Sequence, residues 1–154
     1  MYKHFLLPTD GSEPSQAATE AALLLASETG ARVTALNIQR PFVPPVFAEM
    51  PIAAPFTDSE YEKAVGLASA RILATVKERA EELKVSCRTI TRLDSSVWET
   101  IIEVSEDEGC DLIVMASHGR RGLAALLLGS ETQKVLTHSG IPVLVHRRPE
   151  DADD

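Results

Sequence analysis

Apolar residues fall along this chain in short solid blocks separated by longer stretches in which they recur every three or four positions. Phe5-Leu6-Leu7 is the first block, halted by the turn formers Pro8-Thr9-Asp10-Gly11-Ser12. The Ala-rich stretch Gln16 to Thr29 then predicts a helix, with Ser12 as a cap, Pro14 tolerated in the first turn and Gly30 as the stop. Arg32 to Gln39, carrying Val33, Ala35, Leu36 and Ile38, predicts a second strand. A strand-helix-strand unit of this length implies a right-handed crossover and a parallel pair.

Residues 41 to 57 interrupt the alternation with five of the nine prolines, interleaved with Phe42, Val43, Phe47, Met50 and Phe56, and predict a long loop within the domain. From Asp58 the spacing Tyr61, Val65, Ala68, Ile72, Val76, Leu83 predicts an amphipathic helix of about seven turns, with Lys77, Glu78, Glu81 and Glu82 opposite. Val85 to Leu93 predicts a third strand. Ser95 or Ser96 can cap a helix that carries Val97, Ile101, Ile102 and Val104 and stops at Gly109. Leu112 to Ala116 is apolar without alternation, as suits a central parallel strand covered on both faces. Gly129-Ser130 precedes a short helix to His138, and Ile141 to His146 predicts the last strand. Five strands alternating with four helical segments predict a single doubly wound α/β domain with helices on both faces.

Composition narrows the class. The 154 residues are 44% hydrophobic and 25% charged, enough for one cored domain, taken as residues 1–148. Acidic residues outnumber Lys and Arg 23 to 15, and the net charge of −8 argues against nucleic acid or an anionic membrane as partner. Half of that charge sits on Glu150, Asp151, Asp153 and Asp154, so residues 149–154 read as a solvated acidic tail. Cys87 and Cys110 have neither Cys-x-x-Cys nor zinc spacing, and with no signal peptide and no membrane-length apolar run the expectation is a cytoplasmic protein.

In doubly wound sheets ligands bind at the carboxyl ends of the strands, where the strand order reverses. Two loops here have suitable residues. In the second, Gly119, Gly129 and Ser130 could let a phosphate approach backbone N–H groups at a helix start, or could simply turn the chain. Asp10 in the first could hold a ribose hydroxyl or a metal, or close an Asx turn. One of Arg120 and Arg121 could reach a phosphate. His118 has no partner in sequence that would make it catalytic, and His4, His138 and His146 show no metal spacing. Gly-x-x-x-x-Gly-Lys-Ser/Thr, Gly-x-Gly-x-x-Gly and Gly-x-Ser-x-Gly are all absent, which argues against a P-loop NTPase, a dinucleotide fold and an esterase elbow. Trp98 reads as a cover for the core edge. Phe42, Phe47 and Phe56 could form a lid or pack onto the sheet.

Four separated segments, Pro8-Thr9-Asp10-Gly11-Ser12, Asp111 to Gly119, Leu128-Gly129-Ser130 and Pro142-Val143-Leu144-Val145, together resemble a universal stress protein of the UspA type, over Lys3 to about Arg148. The resemblance implies a five-stranded parallel sheet of order 3-2-1-4-5. It also implies ATP or another adenine nucleotide as ligand, with or without Mg²⁺. The nucleotide-binding frame Gly-x-x-Gly-x9-Gly-Ser/Thr places Ala116 at its first glycine, then Gly119, Gly129 and Ser130, and leaves Gly122 outside. By the same resemblance Pro8, Thr9 and Asp10 line the nucleoside, Ile38 meets adenine through its backbone, and Gly119, Gly129, Ser130, Glu131 and Thr132 surround the phosphates. Of Glu131, only the backbone N–H suits that role. A homodimer through strand 141–146 is implied as well, which would cover an apolar edge. Hydrolysis would be slow at most, since no catalytic constellation is present. The alternative is a UspA-like dimer that has lost nucleotide through Ala116 and acts through protein partners. An adenylating enzyme would need a Ser-Gly-Gly-x-Asp-Ser loop, where this chain has Thr9-Asp10-Gly11-Ser12.

Overall fold

Neighbouring residues of the first apolar block turn to opposite faces of one sheet, because strand side chains alternate. A computed structural model describes residues 1–43, 57–119 and 128–147. The elements run β1 (His4–Pro8), α1 (Glu13–Thr29), β2 (Arg32–Gln39), α2 (Asp58–Glu82), β3 (Cys87–Leu93), α3 (Val97–Asp107), β4 (Leu112–Ala116), α4 (Ser130–His138) and β5 (Val143–His146). They form a single α/β domain with one sheet of order β3-β2-β1-β4-β5, every pair parallel. At its centre Leu6 stands beside Thr34 on one side and Ile113 on the other.

Phe5, Leu7 and Val114 point into a core closed by Leu23 and Ala26 of α1 and Leu73 and Val76 of α2. Leu6, Leu36 and Ile113 point the opposite way, onto Ile101 and Val104 of α3 and Val135 of α4. Helices thus cover both faces, as the unbroken apolar run of β4 requires. Trp98 packs at the edge of the second core and stacks on His138 at 4.7 Å between ring centroids.

Caps fix the boundaries. Ser12 accepts from the Ser15 N–H, and Gly30 ends α1 at φ 65°, where a side chain would be strained. Thr57 and Glu60 make a capping box at the start of α2, Glu60 accepting from the Thr57 N–H at 2.8 Å. The third strand starts two residues later than its apolar pattern suggests. The Val85 N–H is spent on the Ala80 carbonyl at 2.8 Å, closing α2, with Lys84 at φ 55° in the turn. The last strand starts at Val143, because Pro142 has no N–H and contributes only its carbonyl, to Ile113 at 2.9 Å. Among the described residues no helix is long and apolar enough to cross a membrane. The proline-rich segment 44–56, with Phe47 and Phe56, and the acidic tail lie outside the described residues; Phe42 packs on Tyr61 of α2 at 5.1 Å.

His4 is buried in β1, its Nε2 2.8 Å from Thr34 Oγ1. Burial and then the charge of Arg32 push its pKa down from 6.5, against the opposing pull of Asp111 and Glu108. Below that pH the unfolded chain binds a proton that the folded protein refuses, so folding stability falls as pH drops from about 6.5 toward the lowered folded value. Urea titrations between pH 7.5 and 5.5, above the range of ordinary carboxylates, are expected to give a decreasing unfolding free energy, with the slope reduced in His4→Gln. Equal slopes in both proteins would reject His4 as the source.

Candidate functional site

The strand order reverses between β1 and β4, and the loops leaving their carboxyl ends separate there to leave a crevice. A cleft of about 150 Å³ occupies this place. Pro8, Thr9 and Asp10 form one rim and Ala116, His118 and Gly119 the other. Leu36 and Ile38 of β2, Val97 and Ile101 of α3, and Met115 of β4 make an apolar wall, while Glu131 and Thr132 bring in the first turn of α4.

Hydrogen bonds hold the first rim at Thr9 and Asp10. The Thr9 N–H donates to the Leu36 carbonyl at 2.8 Å, and the buried Asn37 amide donates to the Thr9 carbonyl at 2.8 Å. Thr9 Oγ1 lies 2.7 Å from Ser15 Oγ in the first turn of α1. Asp10 Oδ1 accepts from the Ser12 N–H at 2.9 Å, which is the Asx turn. Its other oxygen points across the cleft, because a Cβ built on Gly119 would come within 2.6 Å of Asp10 Oδ2. The two readings of Asp10 are therefore compatible: one oxygen shapes the loop while the other faces the cleft. Gly11 has φ +74°, and a Cβ there would lie 2.9 Å from Ile72 Cγ1 of α2, so this corner of the loop requires glycine on both counts.

The second rim is tied to α4. Thr132 Oγ1 donates to the Ala116 carbonyl at 3.1 Å, and the Gly129 N–H donates to the Ser117 carbonyl at 2.8 Å. A Cβ on Gly129 would sit 3.2 Å from His118 Cα, so the glycine lets α4 start close against the end of β4. Gly129 is the N-cap and offers no side-chain bond, which leaves the first backbone N–H groups of α4 without intrahelical partners. The Glu131 carboxylate turns toward α3, accepting from the Trp98 N–H at 3.0 Å, with Arg40 Nη2 at 4.0 Å. His118 Nδ1 lies 3.0 Å from Ser117 Oγ.

Of the residues singled out from sequence, Pro8, Thr9, Asp10, Ile38, Ala116, Gly119, Glu131 and Thr132 line this one cleft. Gly129 and Ser130 sit beside it at the start of α4, Ser130 exposed. Arg120 and Arg121 lie outside the described residues. Sequence reasoning missed Ser15, Leu36, Val97, Ile101 and Met115 as cleft residues. Val97 and Ile101, four apart on one helix face, carried a signal that reads equally as core; nothing in the sequence marked Ser15. Among the described residues no group of three or more His, Cys, Asp or Glu is placed to hold a metal. Asp10 is the carboxylate that could ligate one shared with a bound phosphate.

Over residues 1–147 the chain matches the Universal stress protein family. The chain belongs to the universal stress protein family. Universal stress protein MJ0531 of Methanocaldococcus jannaschii is 34% identical over 152 residues, covering 97% of this chain and 84% of that protein. Among solved structures, the universal stress protein MJ0577 of the same organism is similar with a TM-score of 0.79 at 29% identity, covering 96% of this chain and 97% of that one. A universal stress protein in complex with cAMP is similar with a TM-score of 0.68 at 24% identity, covering 95% and 97% of the two chains. These likenesses cover 95% or more of the chain, so they span the fold in which the crevice lies.

Proposed function

We propose that this universal stress protein binds ATP or a related adenine nucleotide in the cleft between β1 and β4. One observation carries the reading: a single cleft combines an apolar wall, a fixed carboxylate at Asp10, and the start of α4. Adenine lies against Ile38 and the wall, Pro8 and Thr9 line the nucleoside, and Asp10 takes the ribose or a Mg²⁺ carried in with the phosphates. Gly119, Gly129, Ser130, Glu131 and Thr132 receive the phosphates through backbone N–H groups. Ala116 adds one methyl where the nucleotide-binding frame has glycine, and its carbonyl holds Thr132, so the substitution leaves β4 and α4 joined. The universal stress protein solved with cAMP supports an adenine ligand for the family. Asp10 and the helix start bind and orient; no residue is assigned to hydrolysis. The free thiols of Cys87 and Cys110 fit a reducing cytoplasm.

Isothermal titration with MgATP is expected to give saturable binding, and native mass spectrometry of the purified protein to find a retained adenine nucleotide. No heat with millimolar MgATP, AMP or cAMP would overturn the reading. In that case Ala116→Gly distinguishes the alternative of a partner-binding dimer, since binding created by the glycine would locate the loss at Ala116. β5 is one of the two outer strands of the sheet, with Leu144 39% exposed, and a homodimer pairing 141–146 across that edge is part of this proposal. Light scattering is expected to give twice the chain mass.

A further inference from the structure

A second cavity, of about 360 Å³, opens at the other end of the sheet, among the amino ends of β1, β2 and β3 and the end of α3. Every residue that lines it, and each of their chain neighbours, lies among the described residues. Strand register sets His4 beside Arg32 and Thr34 beside Arg88. Alternation puts all four on the face that carries Leu6 and Leu36, so the core on this face gives way to a polar first layer. The end of α3 reaches the cavity through Asp107 and Glu108. Two of the charges there cancel, since Arg88 Nη1 lies 2.8 Å from Glu108 Oε2. The other two do not: among the described residues neither Arg32 nor Asp107 makes an ion pair. With no basic residue in its last turn, α3 adds the negative end of its dipole to the Asp107 carboxylate.

The cavity thus has a cation on its β2 wall and a negative pole on its α3 wall. A lone anion would meet Asp107 and Glu108, and a lone cation would meet Arg32, whereas a molecule that carries both charges satisfies both walls at once. We propose that this cavity binds a small zwitterion of the amino-acid class, with its carboxylate on the Arg32 guanidinium and its ammonium against Asp107 and the end of α3. The fork of donors on a guanidinium matches a carboxylate, and the volume falls within the range of about 300–1,000 Å³ usual for small-molecule sites. No residue lines both this cavity and the cleft between β1 and β4.

L-Alanine carries both charges; propionate and ethylamine, its deaminated and decarboxylated analogues, carry one each. In NMR titrations of the isotope-labelled protein up to about 50 mM ligand, L-alanine is expected to shift the amides of Thr34, Ser86 and Asp107 saturably, and to bind about tenfold or more tightly than either analogue. Arg32→Gln should reduce L-alanine to the affinity of ethylamine, and Asp107→Asn to that of propionate. Both side chains are exposed, so the melting temperatures of the variants should match that of the parent. Propionate binding as tightly as L-alanine would make this a simple anion site and overturn the proposal. So would the absence of a saturable shift with L-alanine, or shifts that survive both substitutions.

Discussion

Gly119→Val is expected to weaken adenine-nucleotide binding by roughly 100-fold while leaving the fold in place. The distance that carries this is 2.6 Å from a Cβ at Gly119 to Asp10 Oδ2. The carboxylate cannot swing freely away, because its other oxygen is held by the Ser12 N–H at 2.9 Å. A side chain at residue 119 must therefore displace either Asp10 or the backbone of its own loop. On the proposed binding mode, the first would remove a charge-assisted hydrogen bond to the ribose, worth about 1.5–3 kcal/mol, and the second would move backbone N–H groups away from the phosphates. Since about 1.4 kcal/mol is tenfold in affinity, the two losses together reach the expected range. The folded state loses little, because Gly119 is exposed at the end of β4 and fills no part of the core. Titration calorimetry with MgATP and a thermal melt check both halves of the expectation. Gly140→Ala, where a Cβ meets nothing within 4 Å, serves as the neutral comparison. Unchanged affinity in G119V would remove the Asp10–Gly119 approach from the site.

Much of this geometry was legible in the residues. Ser12 and Gly30 bracket α1 because a hydroxyl at the start and a left-handed residue at the end satisfy orphan backbone groups, and both signals are local. Leu112 to Ala116 announced a strand covered on both faces, since no residue in it can face water. The beginning of β3 was not legible in the same way. Val85 looks like a strand residue, but its N–H closes the end of α2, and no glycine at residue 84 announces the turn. Wall residues of the cleft were hidden for a different reason. Leu36, Val97, Ile101 and Met115 belong to three elements that meet only through the strand order, and each has the apolar character of an ordinary core residue. Glu131 is the instructive case. Its place after Gly129-Ser130 is readable, but that its carboxylate would cap a different helix at Trp98 follows only from how α3 and α4 pack.

Ile113→Ala is expected to cost the fold about 3–4 kcal/mol and to lower the melting temperature by on the order of 10 °C. Ile113 is fully buried in β4, paired with Leu6 of β1 on one side and Val143 of β5 on the other. Its side chain lies in the core with Leu36, Ile101 and Met115, the same residues whose other surfaces wall the cleft. Truncation removes three buried carbons, and strands fixed on both sides cannot close over the cavity, so the cost belongs in the upper part of the range for such changes. Against a total of about 5–15 kcal/mol for a domain of this size, that is a large fraction. Leu24→Ala on α1, where the leucine is 43% exposed, is expected to change stability by less than about 1 kcal/mol. Urea titrations give both values. A loss in I113A no larger than in L24A would mean that the core under the cleft relaxes to fill the space, and nucleotide affinity should then fall in I113A because the wall has moved inward. A stability loss of the expected size with affinity retained would mean instead that the cleft keeps its shape over an unfilled cavity, held by the hydrogen bonds from Asn37 to Thr9 and from Thr132 to Ala116.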